Sequence, residues 1–408
     1  MHLVSIEKCL RTIIDNYAFI VARSIIRINN LTLSLIKRVL FRKTISDYEN
    51  VKSILVFRSS AIGDFICALP ALNQLKKHFP KAKILLLTTP TADKRYFKTA
   101  SSDAVVFAAH LVDDTIIIPA NGLKRPSIVR STRKKIVSLN PDITIMLPFS
   151  GEAFFNRFKK IVYLKILGVQ KNLVGIAMQS SLGFLRSVQY RHGAYEHQIT
   201  AAMTSLHDLK ITCGEVMFPI RIPHDVRWKI SELLNYNNIA KYPMITIHLG
   251  SKQQVKKWPM ENYIDLSKRI ISANKSIKIV LVGGKDDEET GRQFVNEVGE
   301  RAVSLVGQTT LMETAEILNR CKLFIGNDSG PMHLAVAVQV PVIGIFSSIV
   351  FPIFWFPWGT KSIMIRNKVA CQYCFTSSDL CPKGTYECIR GIRVEDVFKH
   401  CLKIIACI

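Results

Sequence analysis

The chain has 408 residues, 48% of them hydrophobic, enough to bury a sizeable core and fill two domains, which excludes a single small binding module. Its 55 basic residues against 31 acidic leave a net charge of +24, which points to an anionic partner such as nucleic acid, an acidic lipid surface or a phosphorylated glycan. The basic residues are spread along the chain with no lysine- or arginine-rich tract of five or more, so nucleic acid is not expected as the partner.

Residues 1–50 read as a basic, amphipathic helical extension. Leu10, Ile13, Ile14, Tyr17, Ile20, Ser24, Ile25, Ile28, Leu31 and Leu35 recur at helical spacing, while Arg23, Arg27, Lys37, Arg38, Arg42 and Lys43 supply positive charge. A spanning helix needs about 20 apolar residues in a row, and Asp15, Arg23, Arg27, Asn29 and Asn30 interrupt the run. Two readings stay open here: a helix lying on an anionic membrane surface, and an extra helix packed on the body. No compact apolar region followed by small residues marks a signal-peptide cleavage site, so the expected location is the cytoplasm.

From residue 51 short apolar runs alternate with longer helix-period segments, the pattern of βαβ units and parallel sheets. Strands of a first sheet are predicted at Ser53–Arg58, Lys83–Thr88, Thr115–Pro119, Asp142–Leu147 and Asn172–Ala177, with crossover helices at Asp64–His78 and Pro126–Leu139. Pro70 should kink the first of these or mark a restart. A second series follows a joining segment at Pro219–Tyr242, with strands at Met244–Leu249, Lys278–Val282, Ala302–Val306, Lys322–Gly326 and Val340–Phe346. Its helices are predicted at Met260–Ala273, Asp287–Val298, Leu311–Cys321 and Pro331–Val338. The fold class is therefore α/β with two Rossmann-like domains, residues 51–240 and 241–408, and ligands expected in a cleft beyond the carboxyl ends of the strands.

Four strand-to-helix segments carry candidate chemistry. Arg58 to Phe65 is a small-residue loop ending in Asp64, which could cap the helix or stand at the mouth of a cleft. His248-Leu249-Gly250-Ser251 followed by Lys256-Lys257-Trp258-Pro259 suits a phosphate-binding edge through Ser251 and Lys256, or a solvated lysine pair beside a buried tryptophan. Asp286 and Asp287 follow Val282-Gly283-Gly284, where carboxylates cap helices or hold ribose hydroxyls. The sharpest segment runs from Gly326 to Ala335: a strand enters a polar loop, then a small-residue helix whose N–H groups and dipole form an anion site for a pyrophosphate around Ser329 and Gly330. Asp328 or Ser329 would also cap that helix, and His333 could face a leaving phosphate or sit in the core.

Cys9, Cys67, Cys213 and Cys321 lie singly in apolar segments, as small hydrophobes do, and not as a disulfide framework. Cys371, Cys374, Cys381 and Cys388 cluster near the C-terminus, where four thiolates could hold a structural zinc ion or stand as free or redox-active thiols.

The ordered set Arg58-Ser59-Ser60-Ala61-Ile62-Gly63-Asp64 with Leu69-Pro70-Ala71-Leu72, then His248 to Ser251, Lys256 to Pro259, Val282 to Gly284, Leu305 to Leu311 and Gly326 to Ala335, resembles glycosyltransferase family 9 over about residues 51–400. The resemblance implies a GT-B fold and an inverting, metal-independent transfer of heptose from ADP-heptose to the inner core of lipopolysaccharide. It implies Asp64 as general base, Lys256 at the donor's phosphate or sugar, Asp328 at the sugar, Ser329 and Gly330 at the diphosphate, and Asp286 or Asp287 near the adenosine ribose. It also implies a lipopolysaccharide acceptor, while the apolar positions and flanking Arg and Lys of the N-terminal helix lead to an expected peripheral position at the cytoplasmic face of the inner membrane. The chain has no Asp-x-Asp pair at a strand end suited to a divalent ion.

Two other classes share these features: a nucleotide-sugar 2-epimerase of the same architecture, and an inactive membrane-associated scaffold. A scaffold has no use for Asp64, Lys256 and Asp328, and an epimerase would act on the nucleotide sugar without an acceptor.

Overall fold

The computed structural model describes residues 2–43, 48, 50–59, 61–89, 104–119, 122–147, 154–177, 196–374 and 380–406. The chain divides into two compact units, Met1–Met217 and Phe218–Ile408.

The first unit holds a parallel sheet of β1 (Ser53–Ser59), β2 (Lys83–Thr89), β3 (Asp114–Ile117), β4 (Ile143–Met146) and β5 (Leu173–Val174), in the order β3-β2-β1-β4-β5. β1 is central, with Ile54 opposite both Ile84 and Ile143. Its helices include α1 (His2–Leu40), α2 (Ile62–Ile66), α3 (Leu69–His78), α4 (Pro126–Leu139), α5 (Phe154–Ile166) and α6 (Gln198–Thr204). Pro70 falls in the first turn of α3, so the segment read as one helix is two: a proline lacks the N–H that an interior turn needs, and the chain breaks at Cys67 and Ala68 before restarting. β5 is shorter than the predicted Asn172–Ala177 because it is an edge strand paired only with β4, and Gly175, at φ +75, turns the chain away where any Cβ would collide with the Met146 carbonyl oxygen.

The second unit is a six-stranded parallel sheet of β6 (Met244–His248), β7 (Lys278–Leu281), β8 (Ala302–Ser304), β9 (Leu323–Asn327), β10 (Val342–Phe346) and β11 (Ser362–Arg366). Its order is β11-β10-β9-β6-β7-β8. Every residue of β6, β9 and β10 is buried, as expected for parallel strands covered on both faces. The helices are α7 (His224–Tyr236), α8 (Met260–Ala273), α9 (Glu288–Val298), α10 (Leu311–Arg320), α11 (Gly330–Ala337), α12 (Glu387–Arg390) and α13 (Val394–Ile405). α7 lies in the segment read as a connection, and the second unit takes it up: Arg320 of α10 donates to Ser231 Oγ at 2.9 Å and to the Arg227 carbonyl at 2.9 Å. β11 and α13 complete the sheet and core beyond the last predicted strand.

Helix α1 packs on the body through one of its faces. Leu33 and Phe41 belong to the first unit's core with Ile161, Leu164 and Leu167. Lys165 Nζ donates to the Leu40 carbonyl at 2.5 Å, and Arg42 pairs with Lys171 as a parallel bridge beside β5. The opposite face, from Ile20 to Val39, is exposed and apolar. Among the described residues no helix is long and apolar enough to cross a membrane.

The two faces of α1 should respond differently to truncation. Leu33→Ala empties a fully buried site and should cost about 2–5 kcal/mol, whereas exposed Leu31→Ala should change stability by no more than about 0.5 kcal/mol. Chemical denaturation followed by circular dichroism checks both, and equal effects would contradict the packing.

Candidate active site

Both sheets reverse strand order once: between β1 and β4 in the first unit and between β6 and β9 in the second. Crevices at the carboxyl ends of such reversals are where open α/β sheets bind ligands. Three of the four motifs leave β1, β6 and β9 at these points; the Val282 motif leaves the neighbouring β7.

In the second unit β9 ends on Asn327, which is fully buried. Its Oδ1 accepts from the Trp258 N–H and the Tyr263 hydroxyl, each at 3.0 Å, and its Nδ2 donates to the carbonyls of Leu249 at 2.8 Å and Gly250 at 3.3 Å. One side chain thus ties the loop after β6, the Lys-Lys-Trp-Pro segment and the first turn of α8 to the end of β9. Trp258 is held a second time, donating from Nε1 to the Ile392 carbonyl at 3.0 Å, and it stands edge-on to Tyr263. Burial raises the Tyr263 hydroxyl well above its ordinary pKa, so it stays a donor across the physiological range.

With Trp258 fixed, Lys256 meets Asp328, the residue after Asn327, at 2.6 Å. The Lys256 side chain is 18% exposed and that of Asp328 8%, so water screens the pair far less than a surface ion pair. The cap expected on α11 from Asp328 or Ser329 does not form. Ser329 occupies the N-cap position without a capping bond and donates from Oγ to the Asn327 carbonyl at 3.1 Å, and the Asp328 carboxylate is turned to Lys256. Gly330 and Pro331 open the helix behind this uncapped end. His333 is buried and edge-on to Trp355.

Asp287 and Asp286 separate. Asp286 is exposed, while Asp287 lines an open cavity of about 480 Å³ with Gly250, Lys257, Trp258, Thr290 and Arg390. Gly250 leaves room for both: a Cβ on it would stand 2.6 Å and 2.9 Å from the Asp287 carboxylate oxygens and 2.9 Å from His248 Cε1, and would displace them. His248 is buried and donates from Nδ1 to the Val282 carbonyl at 2.9 Å; burial lowers its pKa, with the nearby Asp287 charge opposing in part. Ser251 lies in the loop between β6 and Lys256, half-buried. The Leu305–Leu311 motif is structural: Thr310 and Glu313 form a reciprocal capping box on α10, and Glu313 also pairs with Lys229 at 2.5 Å.

In the first unit Arg58, near the end of β1, is buried and clamps the sheet reversal. It donates from Nη1 to the Leu147 carbonyl after β4 at 3.0 Å and from Nη2 to the Asp64 carbonyl at 2.7 Å. Asp64 is not the N-cap, a position Ala61 fills, but the third residue of α2, and its Oδ2 reaches back to accept the Ala61 N–H at 3.0 Å. A carboxylate has lone pairs for further partners, and that bond leaves proton acceptance chemically open. Ser60, between the two, lies outside the described residues. Arg58 and Asn327 were not singled out from the sequence; the signal was a polar residue closing an otherwise apolar strand.

Cys371, Cys374, Cys381 and Cys388 line one cavity with Tyr386 and Lys383. Among the described residues no three His, Cys, Asp or Glu side chains form a group that could hold a metal ion. Burial works to raise the Cys381 thiol, yet backbone hydrogen bonds, Tyr386 first, hold it below its ordinary value; burial pushes Cys388 up. The isolated Cys321 and Cys401 are pushed by burial to about 11 and about 12, as inert core thiols should be.

The sequence profile of glycosyltransferase family 9 (heptosyltransferase) matches residues 191–384. Lipooligosaccharide heptosyltransferase 2 of Campylobacter jejuni is 22% identical over 356 residues, covering 85% of this chain and 96% of the relative. Lipopolysaccharide heptosyltransferase 2 of Escherichia coli is 30% identical over 132 residues, 31% of this chain and 37% of the relative. Among solved structures, a family 9 glycosyl transferase of Veillonella parvula superposes with a TM-score of 0.67 at 20% identity, covering 90% of this chain and 99% of that one. The ADP-heptose heptosyltransferase II of Escherichia coli superposes with a TM-score of 0.60 at 19% identity over 87% of this chain and 98% of the other.

Two outcomes follow from this geometry. Asn327→Leu keeps the volume but leaves the Trp258 N–H, the Tyr263 hydroxyl and the Leu249 carbonyl buried without their partner; at about 1–3 kcal/mol each, the second unit should lose about 3 kcal/mol or more, read from its denaturation midpoint. His248 has a folded pKa below its unfolded value of about 6.5, so the unfolded chain takes up the proton first. Its contribution to stability is present above that pH and declines as pH falls below it. His248→Gln should flatten the fall in melting temperature between roughly pH 7 and 5, and an unchanged slope would exclude His248 as its source.

Proposed function

We propose that this chain, whose residues 191–384 match the family 9 heptosyltransferase profile, moves heptose from ADP-heptose to the inner core of lipopolysaccharide with inversion, Asp64 acting as general base. The observation that carries this reading is the uncapped N-terminus of α11 beside the Lys256–Asp328 pair at the sheet reversal of the second unit. Helix N–H groups and a helix dipole favour the developing charge of a diphosphate, and Lys256 is the adjacent cation.

In the proposed reaction an acceptor hydroxyl attacks the anomeric carbon, the bond from that carbon to the diphosphate oxygen breaks with its electron pair leaving on ADP, and the hydroxyl proton passes to Asp64. Lys256 and the first turn of α11 at Ser329 and Gly330 meet the charge growing on the leaving group, the task a divalent ion performs in other transferases. Asp328, oriented by Lys256, is assigned to the sugar hydroxyls. Asp287 is assigned to the ribose because it lines the cavity at Gly250, and exposed Asp286 is set aside. Reaction at the cytoplasmic face of the inner membrane belongs to the same reading.

Asp64→Asn separates base from cap, because asparagine still offers an oxygen to the Ala61 N–H but cannot take a proton. Folding and ADP-heptose affinity by calorimetry should be retained while the transfer rate drops by about 100-fold or more. Wild-type turnover in a stably folded variant would return Asp64 to a capping role alone. Donor consumption without an acceptor would instead favour epimerisation or hydrolysis.

A further inference from the structure

We propose that the solvent face of α1 is a docking surface for an anionic lipid bilayer, on which the helix lies parallel to the membrane plane. The helix has two apolar faces, and the fold uses one. Ala22 and Leu33 are fully buried, while Ile20, Ile28, Leu31, Leu35 and Val39 are 61%, 61%, 70%, 62% and 77% exposed. At about 100° per residue these five fall within an arc of roughly 100°, on the side away from Leu33, and run for about 30 Å along the axis. Isolated exposed hydrophobics need no explanation, but five aligned large ones on a single helix face mark an interaction site.

The charge beside the stripe identifies the occupant. Arg23, Arg27 and Arg38, all exposed, border it along one edge, and exposed Arg42 and Lys43 follow its end. Residues 20–43 contain no Asp or Glu. A basic border along an apolar stripe is the pattern of helices that sink into the headgroup boundary of anionic membranes. A second copy of this chain would bring the same arginine row and another +24 against it, so the complementary surface is lipid. The helix cannot turn inward to span, because its other face is held in the core through Leu33 and Phe41. The proposal deepens the reading of a membrane-face enzyme but is tested without donor or acceptor, so either can fail alone.

The full chain should cosediment with vesicles of phosphatidylcholine and phosphatidylglycerol, bind pure phosphatidylcholine weakly, and release as salt rises. The double substitution Leu31→Glu and Leu35→Glu changes exposed positions only. It should reduce vesicle affinity by about 10-fold or more, with unchanged thermal unfolding and unchanged calorimetric ADP affinity. Arg23→Gln with Arg27→Gln and Arg38→Gln should abolish the preference for the anionic vesicles. A wild-type chain that ignores the vesicles, or a Leu31/Leu35 variant that binds them like the wild type, would overturn the proposal. So would a self-associating wild-type chain that those glutamates render monomeric with no vesicle binding in either form.

Discussion

A parallel strand that stops at a sheet reversal leaves backbone polar groups of the adjoining loops buried, where each must find a partner. Asn327 resolves that constraint in the second unit. An amide offers two donors and an acceptor oxygen with two lone pairs, and here both ends are used on backbone or hydroxyl groups of three separate segments. Because those segments are fixed to β9, Lys256 and Asp328 lie on either side of one rigid anchor, and their 2.6 Å contact follows from the anchor more than from their own mobility. Shape at this edge is therefore decided by a side chain that carries no charge.

The first unit solves the same problem with a different group. Arg58 spans the β1–β4 reversal through two carbonyls, one from each side, and one of them belongs to Asp64 itself. A buried guanidinium is costly unless it is well hydrogen-bonded, so its presence commits the loop to one path. The two units thus share a design in which a polar residue closing an apolar strand sets the position of the charged residue that follows.

Elements whose identity is set by local pattern were legible in the sequence. Helices Pro126–Leu139 and Met260–Ala273 begin and end where periodicity places them, and the break at Pro70 follows from a missing N–H. Edges were less legible, since β5 and β11 are shaped by pairing on one side only, and α7 is defined by packing on α10, a contact invisible to spacing. At the candidate site the charged residues stood out by type, but the partners that orient them did not. A single asparagine in a hydrophobic run gives no hint that four groups converge on it, nor a single arginine that it joins two carbonyls. The cap foreseen at α11 failed for the same reason, because Lys256 and the Asn327 carbonyl, distant in spacing or in role, outcompete the helix for Asp328 and Ser329.

The attachment of α1 has a mechanical consequence. The helix continues without a flexible joint into Phe41, which is in the core, and Arg42, which is bridged to Lys171 beside β5; Arg42 also exchanges backbone hydrogen bonds with Gln170 and Asn172. A tail joined by a loose linker lets its cargo tumble, whereas a helix seated this way transmits torque. Whatever plane α1 rests on becomes the horizon of the first sheet, fixing the tilt of its strands and the height of the β1 terminus above that plane.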